Sequence, residues 1–339
     1  MKTLLKILSL KHKNNKILYY SLSFIRLLSP KKYYQSRLDM KISTLKDYDI
    51  SYLRKRINYY NKLEEVMLLS DKVISLGDFM LKKKDKTYFF DCYEYTRYFN
   101  TDLKVDYKFG DVTFVPTGPS IVKSRPIHEI NLNSIILNLD KVRHFTFIND
   151  RKDFRKKKNM LVGRNNAGQV HRIKFLEMYF NHPLCNIGKI NKDNNHDNLL
   201  KERLTIEEQL DYKFILCLEG NDVASNLKWV MSSQSLAVMP KPRYETWFME
   251  GTLIPNYHFV EIKDDYSDLV ERMEYYLQHT DEALEIIKNA NHYIEQFKSK
   301  PREDLISLLV LEKYFYKTNQ KKVAENLESL FNHIESKIS

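Results

Sequence analysis

Eight glycines and nine prolines in 339 residues leave little room for flexible linkers or low-complexity stretches, and no internal repeat is visible. Cysteine is nearly absent. Cys92, Cys185 and Cys217 are odd in number, widely spaced and without a Cys-x-x-Cys pair, which argues against a disulfide framework and a cysteine-based zinc site. Cys217 lies inside an apolar run and reads as a buried thiol, a usage that fits a reducing cytoplasm. No run of about 18 residues is free of charge, so no membrane-spanning helix is expected. The glycine-rich nucleotide loops Gly-x-Gly-x-x-Gly and Gly-x-x-x-x-Gly-Lys-[Ser/Thr] are missing, as is His-Glu-x-x-His.

What is present is a folded-protein composition, 43% apolar and 29% charged, at a length that fits two domains. The net charge is +11. Residues 1–60 carry fourteen Lys and Arg against three Asp, which accounts for all of it, and the remaining chain balances to zero. The opening "MKTLLKILSLKHKNNKILYYSLSFIRLLSPKK" begins like a secretory signal, but Lys6 breaks the apolar stretch and no small-residue cleavage site follows. Two readings remain. One is a basic, apolar helix lying on an anionic membrane surface, with Leu and Ile in the interface and Lys and Arg on lipid phosphates. The other is a solvated basic face packed on its own domain.

The second half has a regular rhythm. Strands are expected at "NMLVG" (159–163), "LCNIGKI" (184–190), "KFILCL" (213–218), "LAVM" (236–239) and "HFVEI" (258–262). Helices are expected at 169–180, 223–234, 266–279 and 280–297, and Thr205 with Glu208 forms a capping-box pattern. Short apolar strands alternating with amphipathic helices predict βαβ units and a parallel sheet, with ligands outside the strands' carboxyl ends. The first half is less regular: a helix at 63–76, a strand and then a helix over "TYFFD" and "CYEYTRYF", and short strands at "DVTFV", "SIVKS", "SIILNL" and "FTFIN". The run "RKDFRKKK" (151–158) marks a boundary between two α/β domains.

Several residues could carry chemistry. Arg164 ends a predicted strand and Arg172 lies in the helix after it; guanidinium groups there can grip phosphate oxygens or be ordinary surface arginines. In "KFGDVTFVPTGPSIVKSRPI", Asp111 follows a glycine, and Lys123 and Arg125 flank Ser124. Asp111 is either a turn residue or a carboxylate near cations, able to accept a proton from an alcohol. The loop "EGND" (219–222) sits between a strand end and a helix start, where its acids suit hydroxyls or helix amides better than phosphate. Asp47-Tyr48-Asp49 has a metal-binding form but precedes any nucleotide-binding sheet; His182, Cys185 and His196 lack ligand spacing.

The blocks "GDVTFVPTGPSIVKSRPI", "NSIILNLDKVRHFTFIND", "LVGRNNAGQVHRIKFL", "EGNDVASNLKWVMSSQSLAVMPKPRYETWFMEG" and "YHFVEIKDDYSDLVERMEYY" together resemble glycosyltransferase family 90, over about residues 100–300. The resemblance implies an α/β, GT-B-like fold, two Rossmann-like domains facing across a cleft, here with a basic N-terminal helical segment. On that reading 1–150 is an acceptor-side domain whose residues 1–60 touch the membrane. Residues 151–305 bind the nucleotide sugar, and 306–339 are helices packing back on the N-terminal domain. The resemblance further implies an inverting, metal-independent transfer from a UDP-sugar, with no other cofactor. The acceptor would be a lipopolysaccharide or related glycan, or alternatively a capsule or protein acceptor. A nonenzymatic membrane-surface or polyanion-binding protein is the rival. The expected location is cytoplasmic, peripheral on the inner face of the cell membrane, with no nucleic-acid partner. Asp111 matches the family's general base. Arg164, Gly220 and Ser225 match donor-site positions, with Glu219 and Asn221 in the same loop. The family's eukaryotic members carry arginines at the Glu219 position and near Asn226, so phosphate contacts are expected to move to Lys123, Arg125, Arg172 or Lys228.

Overall fold

The computed structural model describes residues 14–69, 73–82, 84–127, 130–193 and 195–332, together with His12. The first eleven residues, where the basic opening begins, lie outside the described residues. The chain forms two compact units. Of the described residues, unit 1 contains Val142–Arg243 and Met249–Gln296 with His12, Asn14 and Asn15; unit 2 contains Lys16–Lys141, Tyr244–Phe248 and those from Phe297.

Unit 2 holds a small parallel sheet, β1 (Tyr107–Lys108), β2 (Ser120–Val122) and β3 (Ser134–Ile136), with β2 in the middle and Ile121 paired to Tyr107 and Ile135. "SIVKS" and "SIILNL" thus give strands, whereas "DVTFV" and, in unit 1, "FTFIN" are irregular. The predicted strand–helix pair at 87–99 is one helix, Lys86–Thr96. Every residue from Tyr88 to Thr96 is buried, so the aromatic richness that reads as a strand reflects burial on all sides. The helix predicted at 63–76 does not form over its described residues. Asn61 Oδ1 takes the Leu63 amide at 3.1 Å and the Met67 amide reaches the Lys317 carbonyl at 2.8 Å, so the backbone bonds outward. The helix Lys300–Lys317 runs through the unit with Leu305–Phe315 buried. Trp247 stacks on Tyr60 at 3.8 Å and donates to Glu303 at 2.6 Å, fastening Tyr244–Phe248 into the unit.

Unit 1 holds a five-stranded parallel sheet: β4 (Lys158–Asn165), β5 (Cys185–Lys189), β6 (Tyr212–Leu216), β7 (Leu236–Met239) and β8 (Val260–Glu261). Their spatial order is β8-β7-β6-β4-β5. All five overlap the predicted strand runs, with β4 extending past its run at both ends and β6 beginning one residue early, and the Thr205–Glu208 capping box is present. The helix predicted over 223–234 shrinks to Leu227–Met231, because Asn226 donates to the Leu216 carbonyl at 2.9 Å and the Ser232 and Ser233 hydroxyls bond back to Trp229 and Val230. Leu161, Ile187, Phe214, Leu216 and Val238 from the strands share one core with Phe175, Met273 and Ile287 from the helices Val170–Tyr179, Leu269–Gln278 and Thr280–Ile294. Gly163 lets β4 lie close to its neighbours: a Cβ there would stand 3.1 Å from Leu216. The fold is thus α/β with parallel-stranded sheets. No helix among the described residues is long and apolar enough to cross a membrane.

Candidate functional site

Strand order decides where unit 1 can bind a ligand. β4 is followed by β5 on one side and β6 lies on the other, so the chain leaves their carboxyl ends in opposite directions, the switch point at which open parallel sheets have their ligand crevice. The loop after β4 is Asn166–Gln169; the loop after β6 runs from Cys217 to Asn226.

One side chain ties these loops together. Arg172, in the first turn of the Val170–Tyr179 helix, donates from Nη1 to the Asn166 carbonyl at 2.6 Å, from Nη2 to Leu218 at 2.7 Å and from Nε to Glu219 at 2.8 Å. Burial pulls its pKa down to about 10. His171 places Nε2 2.8 Å from the Glu219 carbonyl; a carbonyl only accepts, so Nε2 carries the proton. Burial lowers that imidazole's pKa, which favours the neutral ring. Gln169 donates to Asn221 Oδ1 at 2.9 Å. Gly220 must be small here, since a Cβ would come within 3.3 Å of Arg172 Nη2. Arg172 therefore organises the loops through carbonyls.

The Glu219 carboxylate faces another cation. It accepts from the Arg243 amide and from Arg243 Nε, both at 2.9 Å, and the Arg243 side chain is 55% exposed. Arg243 lies just beyond the carboxyl end of β7. Neither Arg243 nor His171 stands out in the sequence, although for Arg243 a place just past a strand end is the signal that marks it. Ser225 and Asn221 are exposed on the same loop.

The other arginines and lysines singled out from the sequence sit differently. Arg164 turns sideways along the sheet to the Asn186 and Glu202 carbonyls and Asn186 Oδ1. Lys228 is fully buried and bonded to Glu250 at 2.5 Å. Arg125, in unit 2, is 0% exposed; it donates to Glu245 at 2.7 Å and to the Ser134 and Tyr59 carbonyls. A guanidinium so enclosed has no surface to offer a donor, so the donor contact expected of Arg125 gives way to a packing role, as it does for Lys228.

In unit 2, Asp111 and Lys123 meet at the carboxyl ends of β1 and β2. Gly110, at φ +112°, turns the chain after β1 into a conformation that L side chains rarely adopt. Lys123, 2% exposed, holds Asp111 Oδ1 at 2.5 Å. Ser124 Oγ fastens the same loop by bonding the Val112 carbonyl at 3.0 Å. A buried ammonium requires a counter-charge, and Asp111 supplies it while its side chain stays 30% exposed. Asp49 instead caps the Ile50–Tyr60 helix, taking the Ser51 amide at 2.8 Å. Among the described residues, no group of three or more His, Cys, Asp or Glu is arranged to hold a metal ion.

Comparison with known proteins supplies the chemistry that geometry leaves open. The O-glucosyltransferase LpsA of Dichelobacter nodosus is 43% identical over 263 residues, covering 78% of this chain and 82% of that protein. The uncharacterized protein 179R of Invertebrate iridescent virus 6 is 29% identical over 147 residues, 40% of this chain and 12% of its own length. Residues 95–325 match the family described as Glycosyl transferase family 90. With well over half of the sequence inside that match, the chain belongs to glycosyltransferase family 90 and is a glycosyltransferase enzyme.

Proposed function

We propose that this enzyme moves a sugar from a UDP-sugar to a hydroxyl of a lipopolysaccharide or related glycan, with inversion and without a required metal. The observation that carries the reading is the crevice of unit 1, where Arg172 clamps the loops after β4 and β6 in a chain of this family. On this reading the two units correspond to the Rossmann-like halves of a GT-B-like enzyme, unit 1 taking the donor and unit 2 the acceptor. Asp111 removes the proton of the acceptor hydroxyl as that oxygen attacks C1 of the donor sugar. The bond from C1 to the UDP oxygen breaks, and the diphosphate leaves with the added negative charge. Arg243, placed by Glu219, and the amides at the start of the Val170–Tyr179 helix would receive that charge. Gly220, Asn221 and Ser225 would shape the loop around the nucleotide. Arg172 and Arg164 would hold its frame, and Lys123 would orient Asp111.

The relative's name specifies glucosyl transfer to oxygen, which makes UDP-glucose the first donor to try. Membership in an enzyme family displaces the nonenzymatic rival. The membrane-surface partner rests on the helix Lys16–Leu28, which leaves Ile17, Leu18, Ile25 and Leu28 exposed at 55–85% along its length. Such a face would keep the enzyme peripheral on the inner face of the cell membrane, near a lipid-linked acceptor.

The test is a panel of UDP-sugars in thermal-shift and donor-hydrolysis assays, with and without EDTA. UDP should stabilise the protein and one UDP-sugar should turn over in EDTA. Asp111→Asn should keep UDP binding and lose roughly 100-fold or more in turnover. Near-normal turnover of that variant would remove the general base from the scheme.

A further inference from the structure

The helix Ile50–Tyr60 carries three consecutive cations, Arg54, Lys55 and Arg56, and successive residues on a helix point about 100° apart. Arg56 points inward. It is 1% exposed and bonded to Glu303 at 2.8 Å and to Tyr60. Arg54 and Lys55 instead line a groove of about 480 Å³ on unit 2, joined by Lys62 just past the helix end. Among the described residues no carboxylate lies within 4.0 Å of these three cations. Lys62 donates to Asn131 Oδ1 at 2.9 Å and lies over the Tyr59 ring. Arg54 Nε is shut off from solvent and has no hydrogen-bond partner. Glu64 is the acid among the residues lining the groove.

Two features separate this groove from a solvated basic face. A solvated face would leave each donor open to water, and Arg54 Nε is closed off. Burial, and then the Arg125 guanidinium, pushes the Lys62 pKa below its ordinary value although Glu245 pulls the other way, so positive charge outweighs acid around Lys62. The groove is also larger than a bare anion needs, and its walls include the Tyr59 ring and Leu132, 44% exposed. Aromatic and aliphatic walls in a groove that three cations line suit an organic body bearing one negative group.

We propose that the Arg54–Lys55–Lys62 groove is a subsite for an anionic sugar substituent, a phosphate or carboxylate carried on the acceptor glycan. Assigning the anion to the acceptor rests on the transferase reading above; the anion site itself does not. The test uses the full chain and four probes, glucose 6-phosphate, glucuronate, glucose and inorganic phosphate, followed by ligand-observed NMR titration. UDP-induced thermal stabilisation is recorded in parallel. Glucose 6-phosphate or glucuronate should bind, and affinity should fall as salt rises. Arg54→Gln/Lys55→Gln should weaken that binding about tenfold, as loss of charge-assisted bonds does, and leave the UDP response unchanged. Equal binding of glucose, or an unchanged affinity in the double variant, overturns the proposal. Inorganic phosphate binding as tightly as glucose 6-phosphate overturns its glycan part. Absence of any UDP response in wild type would instead sink the donor reading and leave the groove result standing.

Discussion

Arg172→Lys separates two roles that a strand-end arginine can have. If Arg172 gripped a phosphate directly, lysine would keep the charge, and the unliganded protein would keep its stability. The structure gives it three backbone carbonyls from two loops instead, at 2.6, 2.7 and 2.8 Å. A lysine ammonium is a single point that cannot reproduce that fan. At least two carbonyls lose a charged donor, each bond contributing about 1.5–3 kcal/mol, and partial solvation returns some of it. The net expectation is a loss of about 2–4 kcal/mol in chemical denaturation without ligand, together with UDP affinity at least about tenfold weaker as the loops part. Gly220→Ala presses on the same guanidinium from the other side, 3.3 Å away, and should cost about 1 kcal/mol by overpacking. A lysine variant that unfolds at the wild-type midpoint and loses only UDP affinity would refute the clamp and restore direct phosphate contact.

Arg243→Ala should do the reverse, weakening UDP binding about tenfold in calorimetry with under about 1 kcal/mol lost in stability, since the Arg243 side chain of its pair with Glu219 is 55% exposed. Lys313 is buried against Asn58 Oδ1 and the Asn61 carbonyl, and burial pulls its pKa to about 7. The folded value lies below the unfolded one of 10.5, so this group's stability is full above pH 10.5 and is lost as pH falls through 7. Lys313→Met should therefore gain roughly 2 kcal/mol more at pH 6 than at pH 9 in urea melts, and an equal gain at both would exclude the depressed pKa. Burial would push Glu94 up, but Lys141, Lys300 and Arg26 outweigh it and hold the carboxyl at about 2, so its contribution is present above pH 4.5 and lost as pH falls through 2. Glu94→Gln should cost about 3 kcal/mol at pH 7, with the gap to wild type closing towards pH 2; a pH-independent gap would count against the ion pairs.

The parallel sheet of unit 1 was legible because its strands are short apolar runs of β-branched and aromatic residues, bounded by polar loops and spaced by helices with a visible amphipathic period. Unit 2 was not, for a physical reason. Lys86–Thr96 is buried almost all round, so it shows no single apolar face, and local pattern cannot tell such a helix from a strand. The Tyr244–Phe248 segment joins unit 2 through Trp247, Tyr60 and Glu303, partners 56 or more positions away. The place of Gly220 just past a strand end and of Arg172 in the helix after β4 followed from periodicity, whereas Asp111, expected to open the strand "DVTFV", instead follows β1. Side-chain direction did not follow from periodicity. Arg164 lies at the end of β4 and Arg172 in the helix after it, yet one turns to the neighbouring Asn186 and the other to the opposite loop.

The cations of this chain divide by whether an acid or a carbonyl reaches them first. Arg125 and Lys228 are fully buried and carry Glu245 and Glu250, because an enclosed charge without a partner would be expelled or neutralised. Arg164 and Arg172 are half enclosed and settle on carbonyls, which retain their charge without cancelling it. Glu219 takes a third course. It draws the more exposed Arg243 to that loop from beyond β7. A positive group thus remains at the crevice mouth although the local residue is acidic, but its position now depends on two segments of unit 1 keeping register. Through Glu219, whose backbone carbonyl Arg172 also holds, the clamp on the loops and the placement of Arg243 become one mechanical unit.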